Sequence, residues 1–546
     1  MRSNVFKISA IAATIAASFG AQAALYNVVE INESATDAYG LGGYKTEYHG
    51  TSVESVTVPG GNPLGCFDNT YSCPDSKISA ETRNWPAGLS YREEVPFAMD
   101  NGFDYSIYDR DDFENYCDGQ LGYATCDTWA NKQSEGYEKE RTDSLYTNSI
   151  AFIEGQDAVS AENAVINSIS SDGLPVGNKR VGTVRNQAFS SVALTGLGTT
   201  PAIVATHAWK TDGTYTVGSV SREKGNDEGT WFYSKAVIWN NSLATELNFA
   251  NGGHDISDNR LSQASIRDFT IDNGMFYGVG YNTYGDQRMD ATIYSVDVAN
   301  IADADKITST PVSGATSGSD YIFTNSVVSS INQNKVAVGS AKLSKGNPLD
   351  GAAANRLFFV EDVTVPTATY FAGALFANKG GTIGAINNFN EVVGSVDITS
   401  GREIDGTPRV QRGFINPYIA GLTGNNELRA DVFKKQAWLL DDLTNGIDEN
   451  NEFRVINASD INDAGVISAT ALKCDGGYDT TDIDSYCKNG EFGVEKVVAV
   501  KLIPIAEESA RDIQARGFRT TKVERSGASL GWLALGLLTL LGFRRK

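Results

Sequence analysis

Three acidic segments of this sequence have carboxylates close enough together to bind a cation. They are residues 109–114, residues 448–452 and the group Asp475, Asp479, Asp482 and Asp484. Calcium takes about six to eight oxygen ligands, so each segment can host an ion. None has the EF-hand spacing with its central Gly and final Glu, and we favour solvated acidic loops at all three. Calcium is therefore kept as a possible cofactor, and the metal ligands are left unknown.

Catalytic motifs give little support to an enzyme. The pair His254-Asp255 can form a dyad, but the neighbouring Gly252-Gly253 favours a turn. Residues 527–531 match G-x-S-x-G, yet no His follows them, as a hydrolase of that type requires. Walker, H-E-x-x-H and dinucleotide patterns are missing from the sequence. Paired carboxylates can hydrolyse glycosides only where two acids face one cleft, which sequence separation does not reveal. We assign no catalytic residue.

The six cysteines form three pairs that are close in sequence. The pairs are Cys66 and Cys73, Cys117 and Cys126, and Cys474 and Cys487. An even number of cysteines in an exported chain predicts disulfides, and closeness along the chain favours these three pairings. Zinc is the competing interpretation. It is disfavoured because the sequence has no C-x-x-C and only three histidines.

The N-terminus carries an export signal. Arg2 and Lys7 precede the apolar stretch 8–19, and Ala21-Gln22-Ala23 then supplies small residues for cleavage. The alternative is an uncleaved membrane anchor, but the apolar stretch is short and rich in Ala. We predict a signal peptide over residues 1–23 that signal peptidase removes, leaving Ala24 as the first residue.

The C-terminus has a second apolar segment. Residues 528–543 are uncharged, and Arg544, Arg545 and Lys546 end the chain. This order predicts a short transmembrane helix with a cytoplasmic C-terminus. A buried terminal helix is the alternative, and it fits poorly because the segment is apolar on every side.

The order of these terminal residues resembles the GlyGly-CTERM sorting tail of exported proteobacterial proteins. The resemblance implies cleavage by a rhomboid-type protease, the rhombosortase, near Gly527, Ala528 and Ser529. It also implies release of the protein to the cell surface or the medium. This chain has Gly527-Ala528 where the family usually has two glycines.

A hairpin motif recurs along the body. Residues 331–339 (INQNKVAVG) align without gaps on residues 386–394 (INNFNEVVG), and residues 461–469 (INDAGVISA) are a third copy. Residues 271–278 (IDNGMFYG) are a shorter fourth copy. Looser versions lie at 166–177, 207–218 and 27–43. An apolar residue, an Asn/Asp/Gly turn and a Val-rich return predict two paired strands, and an aromatic strand such as residues 236–239 follows most copies.

Seven copies predict an all-β fold, a β-propeller of about seven blades, with six or eight left open. The alternative is a set of β-sandwich domains with coincidental hairpins. Residues 26–29 are expected to pair near residues 497–500 and close the ring. The predicted segments are 24–49 as first propeller strands, 50–150 as an insertion rich in Cys, aromatic and acidic residues, 151–505 as the repeat body, 506–527 as a linker and 528–546 as the sorting tail.

The repeat is similar to the HAF type of exported bacterial proteins, in which an aromatic strand follows an Ile-Asn-Asp-x-Gly-x-Val-Val-Gly segment. Ala208-Trp209 and Gln436-Ala437-Trp438 retain parts of the aromatic element. With the tail, the chain resembles a gammaproteobacterial family of exported proteins of unknown function. That resemblance implies an architecture and a destination but no catalytic residues.

Charge and composition limit the partners. The formal net charge of the 546 residues is −22, which argues against nucleic acid, and we expect membrane contact only through the C-terminal helix. We predict a protein of the periplasm, cell surface or medium that binds a ligand or partner through the insertion, without catalysis. The alternatives are a secreted hydrolase of glycans or other polymers, with a carboxylate pair in the propeller centre, and a structural envelope component.

Overall fold

The chain folds into a seven-bladed β-propeller. A computed structural model describes residues 24–31, 46–84, 109–118, 123–143, 146–160, 162–182, 184–226, 229–241, 243–253, 261–285, 288–316, 322–343, 354–399, 409–420, 424–491, 494–506 and 513–519. Seven antiparallel sheets of three or four strands follow one another along the chain, and their first strands are neighbours around one axis. The predicted fold class and blade number are confirmed.

Each sheet is one blade. The first strand is β1 (Tyr26–Glu30), and blade 1 then comprises β2 (Thr46–Val53), β3 (Ile78–Asn84) and β4 (Ser149–Ile153). Blade 2 comprises β5 (Ala164–Ile169), β6 (Pro175–Val181) and β7 (Val184–Phe189). Blade 3 comprises β8 (Ile203–Thr211), β9 (Thr216–Asn226), β10 (Gly229–Asn240) and β11 (Leu243–Glu246). Blade 4 comprises β12 (Ser265–Asp272), β13 (Met275–Gly285), β14 (Arg288–Asp297) and β15 (Thr308–Pro311). Blade 5 comprises β16 (Ile322–Ile331), β17 (Ala337–Leu343), β18 (Asn355–Val360) and β19 (Ala368–Tyr370). Blade 6 comprises β20 (Gly381–Ile386), β21 (Glu391–Asp397), β22 (Gln411–Pro417) and β23 (Trp438–Leu439). Blade 7 comprises β24 (Phe453–Ile461), β25 (Ile467–Cys474) and β26 (Glu495–Pro504), and β1 lies at its outer edge.

The ring is closed by its first strand. β1 pairs antiparallel with β26, from Tyr26 opposite Pro504 to Glu30 opposite Val500. Blade 7 therefore contains both the first and the last strand of the propeller. This is the closure that the sequence predicts, a few residues further along the last strand.

The repeated hairpin joins the innermost strand of a blade to its second strand. The copies at 166–177, 207–218, 331–339, 386–394 and 461–469 all occupy this position. The inner strand has a β-bulge opposite the Gly that ends the motif. A Cβ on Gly339 would lie 2.2 Å from the carbonyl oxygen of Val327, so this close approach requires glycine.

The fourth copy is offset by two residues. Its inner strand and hairpin are longer, so that Phe269 rather than Ile271 occupies the position of Ile331. Gly280, not Gly278, lies opposite the bulge and approaches the carbonyl oxygen of Ser265. The sequence alignment on Ile271 is therefore wrong in register. It identified the correct hairpin because the turn residues look alike.

The motif asparagines join successive blades. Asn332 Nδ2 donates to Asn387 O at 2.9 Å, Asn387 Nδ2 to Asn462 O at 3.1 Å, and Asn462 Nδ2 to Glu54 O at 3.0 Å. The Oδ1 atom of each accepts a main-chain N–H of its own turn. Each asparagine thus fixes a turn and bonds to the neighbouring blade. We call this chain of contacts from blade 5 through blades 6 and 7 to blade 1 the asparagine ladder.

Residues 50–150 contribute propeller strands as well as an excursion. They contain half of β2, all of β3 and the start of β4, and these three strands form blade 1. The described excursion holds helices α1 (Arg110–Tyr116) and α2 (Cys126–Thr142) between β3 and β4. Helix α3 (Asn425–Val432) lies between β22 and β23 of blade 6. Helix α4 (Leu440–Leu443) follows β23 and precedes β24, the first strand of blade 7 in sequence after the helix.

The predicted end segments lie outside the described residues. These are the signal peptide 1–23 with Ala21 and Ala23, and the tail with Gly527, Ala528 and Ser529. Ala24 is described and is buried just before β1. Among the described helices, none is both long and apolar enough to cross a membrane.

Candidate functional site

The ends of the inner strands enclose a polar cavity of about 390 Å³ on the propeller axis. All seven blades contribute to its wall, mainly through the residues just before and within the inner hairpin turns. A second cavity of about 360 Å³ adjoins it, and both are bordered by Lys210, Asp268, Ser330, Ala385 and Asp460. We call the two together the axial channel, with a turn-side and a strand-side cavity.

One wall position has the same structural task in several blades. It is the residue just before the apolar residue of each hairpin. Asp460 Oδ2 accepts the N–H of Val53 in the next blade at 3.0 Å, and Asp268 Oδ2 accepts that of Ile331 at 3.1 Å. Ser330 Oγ accepts the N–H of Ile386 at 3.4 Å. An acceptor at this position therefore joins neighbouring blades.

Lys210 departs from that pattern in blade 3. An ammonium group has no lone pair, so it cannot accept an N–H from the next blade. The corresponding N–H, that of Phe269, is bonded instead by Asp268 Oδ1 at 2.8 Å. The N–H of Phe269 is thus satisfied within blade 4, so Lys210 is not needed as its acceptor.

The electrostatics of Lys210 are set by its neighbours. Burial lowers the pKa of its ammonium group, but the carboxylates of Asp268, Asp460 and Asp463 outweigh burial and raise that pKa. Lys210 is therefore charged at neutral pH. Within the described residues no carboxylate lies at ion-pair distance from its ammonium group, so the attraction acts across the channel.

The channel carboxylates are engaged by the protein through both oxygens. Asp268 and Asp460 each use one oxygen for the next blade and the other for the N–H of the following residue. Asp463 accepts the N–H and the side-chain amide of Asn388, both at 2.9 Å. Burial raises the pKa of the Asp463 carboxyl, although Asn388, Arg429 and Lys210 oppose that effect.

The strand-side cavity has a different lining. The guanidinium of Arg267 stacks 3.9 Å from the centre of the Trp209 ring, and both residues border this cavity. They are the bulged residues of neighbouring inner strands. Arg83, on β3, also borders it, and its Nε and Nη2 atoms donate to Glu81 Oε1 at 3.0 and 2.6 Å.

The three acidic segments are used locally. Asp109 and Asp112 form a capping box at the start of α1, and Glu114 pairs with Arg110. Asp475 pairs with Lys496, and Glu452 Oε1 accepts the N–H of Gly476. In the described part of the chain, no group of three His, Cys, Asp or Glu is arranged to hold a metal ion.

The cysteines and insertion aromatics have structural contacts. Cys66 is bonded to Cys73, Cys117 to Cys126, and Cys474 to Cys487. Phe113, Tyr116 and Trp129 are buried together between α1 and α2, so these rings form a small core rather than an open binding face. Trp85, Tyr91, Tyr105 and Tyr108 lie outside the described residues, as does His254.

The sequence analysis missed the channel residues. Lys210, Asp268 and Asp460 occupy one structural position, but the two-residue offset of the fourth copy separated Asp268 from the others. The available signal was Lys210 itself, a basic residue where other copies have Asp, Ser or Ala. Arg267 and Trp209 come from bulges, which no pattern of turns or apolar residues indicates.

Comparisons with known proteins give a family and a set of remote structures. Residues 207–546 match the model of a family described as a protein of unknown function (DUF3466). Among curated proteins, none matches the sequence.

The similar solved structures include a glycoside hydrolase, at 11% identity and a TM-score of 0.25, over 59% of this chain and 89% of that one. The native Bacillus subtilis arabinanase Arb43A has 10% identity and a TM-score of 0.23, over 54% and 92%. The Penicillium chrysogenum α-L-arabinanase complexed with arabinobiose has 8% identity and a TM-score of 0.28, over 88% and 97%. At these scores, the similarities carry no inference about activity.

Proposed function

We propose that this chain, which belongs to the DUF3466 family of proteins of unknown function, is a non-enzymatic binding protein whose ligand occupies the axial channel. The observation that carries the proposal is Lys210. It is a charged residue in the channel wall, at a position where blades 4, 5 and 7 carry an acceptor for the next blade. The proposed site is therefore the propeller centre, not the insertion that the sequence suggested.

The lining favours a small ligand rich in hydroxyl groups. The turn-side cavity is bordered by carboxylates, asparagines, serines, threonines and one ammonium group. Such a surface offers both donors and acceptors at many points, which suits hydroxyls better than an apolar molecule. A volume of about 390 Å³ accommodates a molecule of monosaccharide to disaccharide size.

The hydrogen bonds of the carboxylates argue against catalysis. A general acid or nucleophile needs an oxygen directed at the substrate. Asp268, Asp460 and Asp463 each use both oxygens within the protein. Their arrangement supports a rigid binding wall.

Titration calorimetry with hexoses and hexuronic acids tests this proposal. The variant Lys210→Met keeps the length of the side chain and removes its charge, and we expect it to lose about tenfold in affinity. Lys235→Met makes the same change on β10 of the same blade, away from the channel, and should bind normally. Absence of saturable binding, or equal losses in the two variants, would contradict a ligand site at the axis.

A hydrolase is the second candidate function. Asp268 of blade 4 and Asp463 of blade 7 border one cavity, and Asp463 has a raised pKa, as a general acid requires. Release of reducing ends from a polysaccharide panel would support this candidate if Asp463→Asn abolished it and the exposed turn variant Asp172→Asn did not. A protein with neither binding nor turnover would instead fit the structural envelope component.

We further propose that the protein works outside the cytoplasm. Three disulfides support an oxidising compartment, and β1 begins just behind the predicted cleavage site. Signal peptidase and a rhombosortase-type protease are the proposed processing enzymes. Intact mass spectrometry of protein from its native host should give a chain from Ala24 to about Gly527. A mass that includes residues 528–546 would contradict C-terminal processing and leave a retained membrane anchor.

A further inference from the structure

The charges of the axial channel are separated along its length. Asp212 and Asp463 border only the turn-side cavity, whereas Arg83 and Arg267 border only the strand-side cavity. Lys210, Asp268 and Asp460 border both. The lining charges therefore sum to −3 for the turn-side cavity and +1 for the strand-side cavity. A ligand that spans the channel meets an acidic end and a basic end.

The basic end is built from held side chains. Arg267 is only 8% exposed and stacks on Trp209, which fixes the plane of its guanidinium. Stacking uses the face of a guanidinium, whereas its N–H groups lie in the plane with which arginine binds a carboxylate. Arg83 is held by the buried carboxylate of Glu81. Burial raises the pKa of Glu81, but Arg83 and the neighbouring hydrogen bonds outweigh it, and the pKa is lowered.

The location of these arginines is unusual for the protein. The whole chain has a net charge of −22, so a cavity wall that contains several cations has the opposite sign to the protein as a whole. Removing a guanidinium from water is costly, and the buried Arg267 in the cavity wall suits an anion. Arg83 remains partly exposed and is already paired with Glu81. The stack of Arg267 on Trp209 also joins blade 4 to blade 3, through the bulged residues of their inner strands.

We infer that the channel ligand is an acidic sugar, whose carboxylate lies at Arg267 and Arg83 and whose hydroxyls lie among the aspartates and asparagines of the turn-side cavity. This inference rests on the proposed function, since it assigns a chemical class to the same ligand. Hydroxyls can donate to Asp463 and Asp212, while the carboxylate takes the end where the cations lie. Lys210, between the two ends, can contact either.

Matched sugars test the inference. Glucuronate and galacturonate differ from glucose and galactose by the C6 carboxylate, so calorimetry on the full mature chain can compare each acid with its parent. We expect each acid to bind at least about tenfold more tightly than its parent. Arg267→Met should remove most of that preference, measured as the ratio of the affinities for the acid and for its parent sugar. Arg356→Met is the control, because Arg356 stacks 4.1 Å from the Tyr370 ring outside the channel.

The outcomes separate this inference from the proposed function. Equal binding of acid and parent sugars would overturn the acidic ligand and keep the axial site. An Arg267→Met variant that weakens both sugars equally would also overturn it. No binding of any sugar to the wild-type protein would overturn both. Circular dichroism and the melting temperature of Arg267→Met show whether it folds, and Arg83→Gln provides a second variant at the same end of the channel.

Discussion

The two halves of the ring differ in how their inner hairpins are used. In blades 5, 6 and 7 the turns carry Asn332, Asn387 and Asn462, which form the asparagine ladder. In blades 2, 3 and 4 the equivalent positions are Ser170, Asp212 and Thr270, and the turns of blades 3 and 4 differ in length from those of the ladder. The irregular half supplies Lys210, Trp209 and Arg267 to the channel.

This difference separates scaffold from site. Each ladder asparagine uses its side chain for hydrogen bonds to its own turn and to the next blade, so few of its hydrogen-bonding groups are left for a ligand. Where the pattern is lost, the channel wall can present cations and an aromatic ring. The most regular copies of the motif are thus the least informative about the ligand, and the degenerate copies are the most informative.

Removing a ladder asparagine should have the largest effect. Asn387 is buried and forms four hydrogen bonds, to the N–H groups of Phe389 and Glu391, to Asn462 O and to the Glu391 carboxylate. We expect Asn387→Ala to lower the free energy of unfolding by about 3 kcal/mol, because several buried groups lose their partners. Urea denaturation followed by tryptophan fluorescence measures it.

The matched control is Ser170→Ala in the irregular half. Among the described residues, Ser170 Oγ accepts one hydrogen bond, from the N–H of Leu174 at 3.2 Å, so this variant should lose less than about 1 kcal/mol. Similar losses in Asn387→Ala and Ser170→Ala would show that the ladder has no special part in stability.

The pH dependence of stability should also differ between the halves. Four carboxylates with raised pKa, Glu391, Asp397, Asp442 and Asp463, lie in blades 6 and 7 or the segment that joins them. Burial raises the pKa of Asp442 from 3.8 to about 6. Between these pH values the folded protein binds more protons than the unfolded chain, so this group makes stability fall as pH rises.

Asp442→Asn should remove that penalty. At pH 7 we expect the variant to exceed the wild type by up to about 3 kcal/mol in free energy of unfolding, with the difference vanishing near pH 4. The introduced side-chain amide would still offer an acceptor for the N–H of Arg516, which now bonds Asp442 Oδ1 at 2.7 Å. Asp172→Asn, on an exposed turn of blade 2, is the control. A difference that grows towards acid pH would refute the sign of this prediction.

Grafting the ladder into the irregular half should have the smallest effect. The turn of Ser170 has the same length and main-chain hydrogen bonds as that of Asn332, with Gly173 N donating to Ser170 O as Lys335 N does to Asn332 O. Ser170→Asn should therefore fit, donate to blade 3 and add about 0.5–1 kcal/mol. A loss of stability in this variant would indicate that blades 2 and 3 are spaced differently from blades 5 and 6.

The sequence was sufficient for the architecture because each hairpin is local. Turn residues, bulge glycines and aromatic strands recur within short segments, and these predict the blades and the closure by residues 26–29. The channel depends instead on contacts between blades. The stack of Arg267 on Trp209 and the attraction of Lys210 by Asp268, Asp460 and Asp463 join residues that are distant in sequence. Such contacts leave no periodic signal in one chain.

The pairing of β1 with β26 determines the order in which the molecule can be completed. Tyr26 is synthesised long before Pro504, its partner across the sheet. Until the last strand arrives, blade 7 lacks the edge that β1 covers, and joining the two ends requires a loop of nearly the whole chain. The first strand must therefore wait unpaired while the rest of the chain is made. We expect closure of the ring to be the final and slowest step of folding.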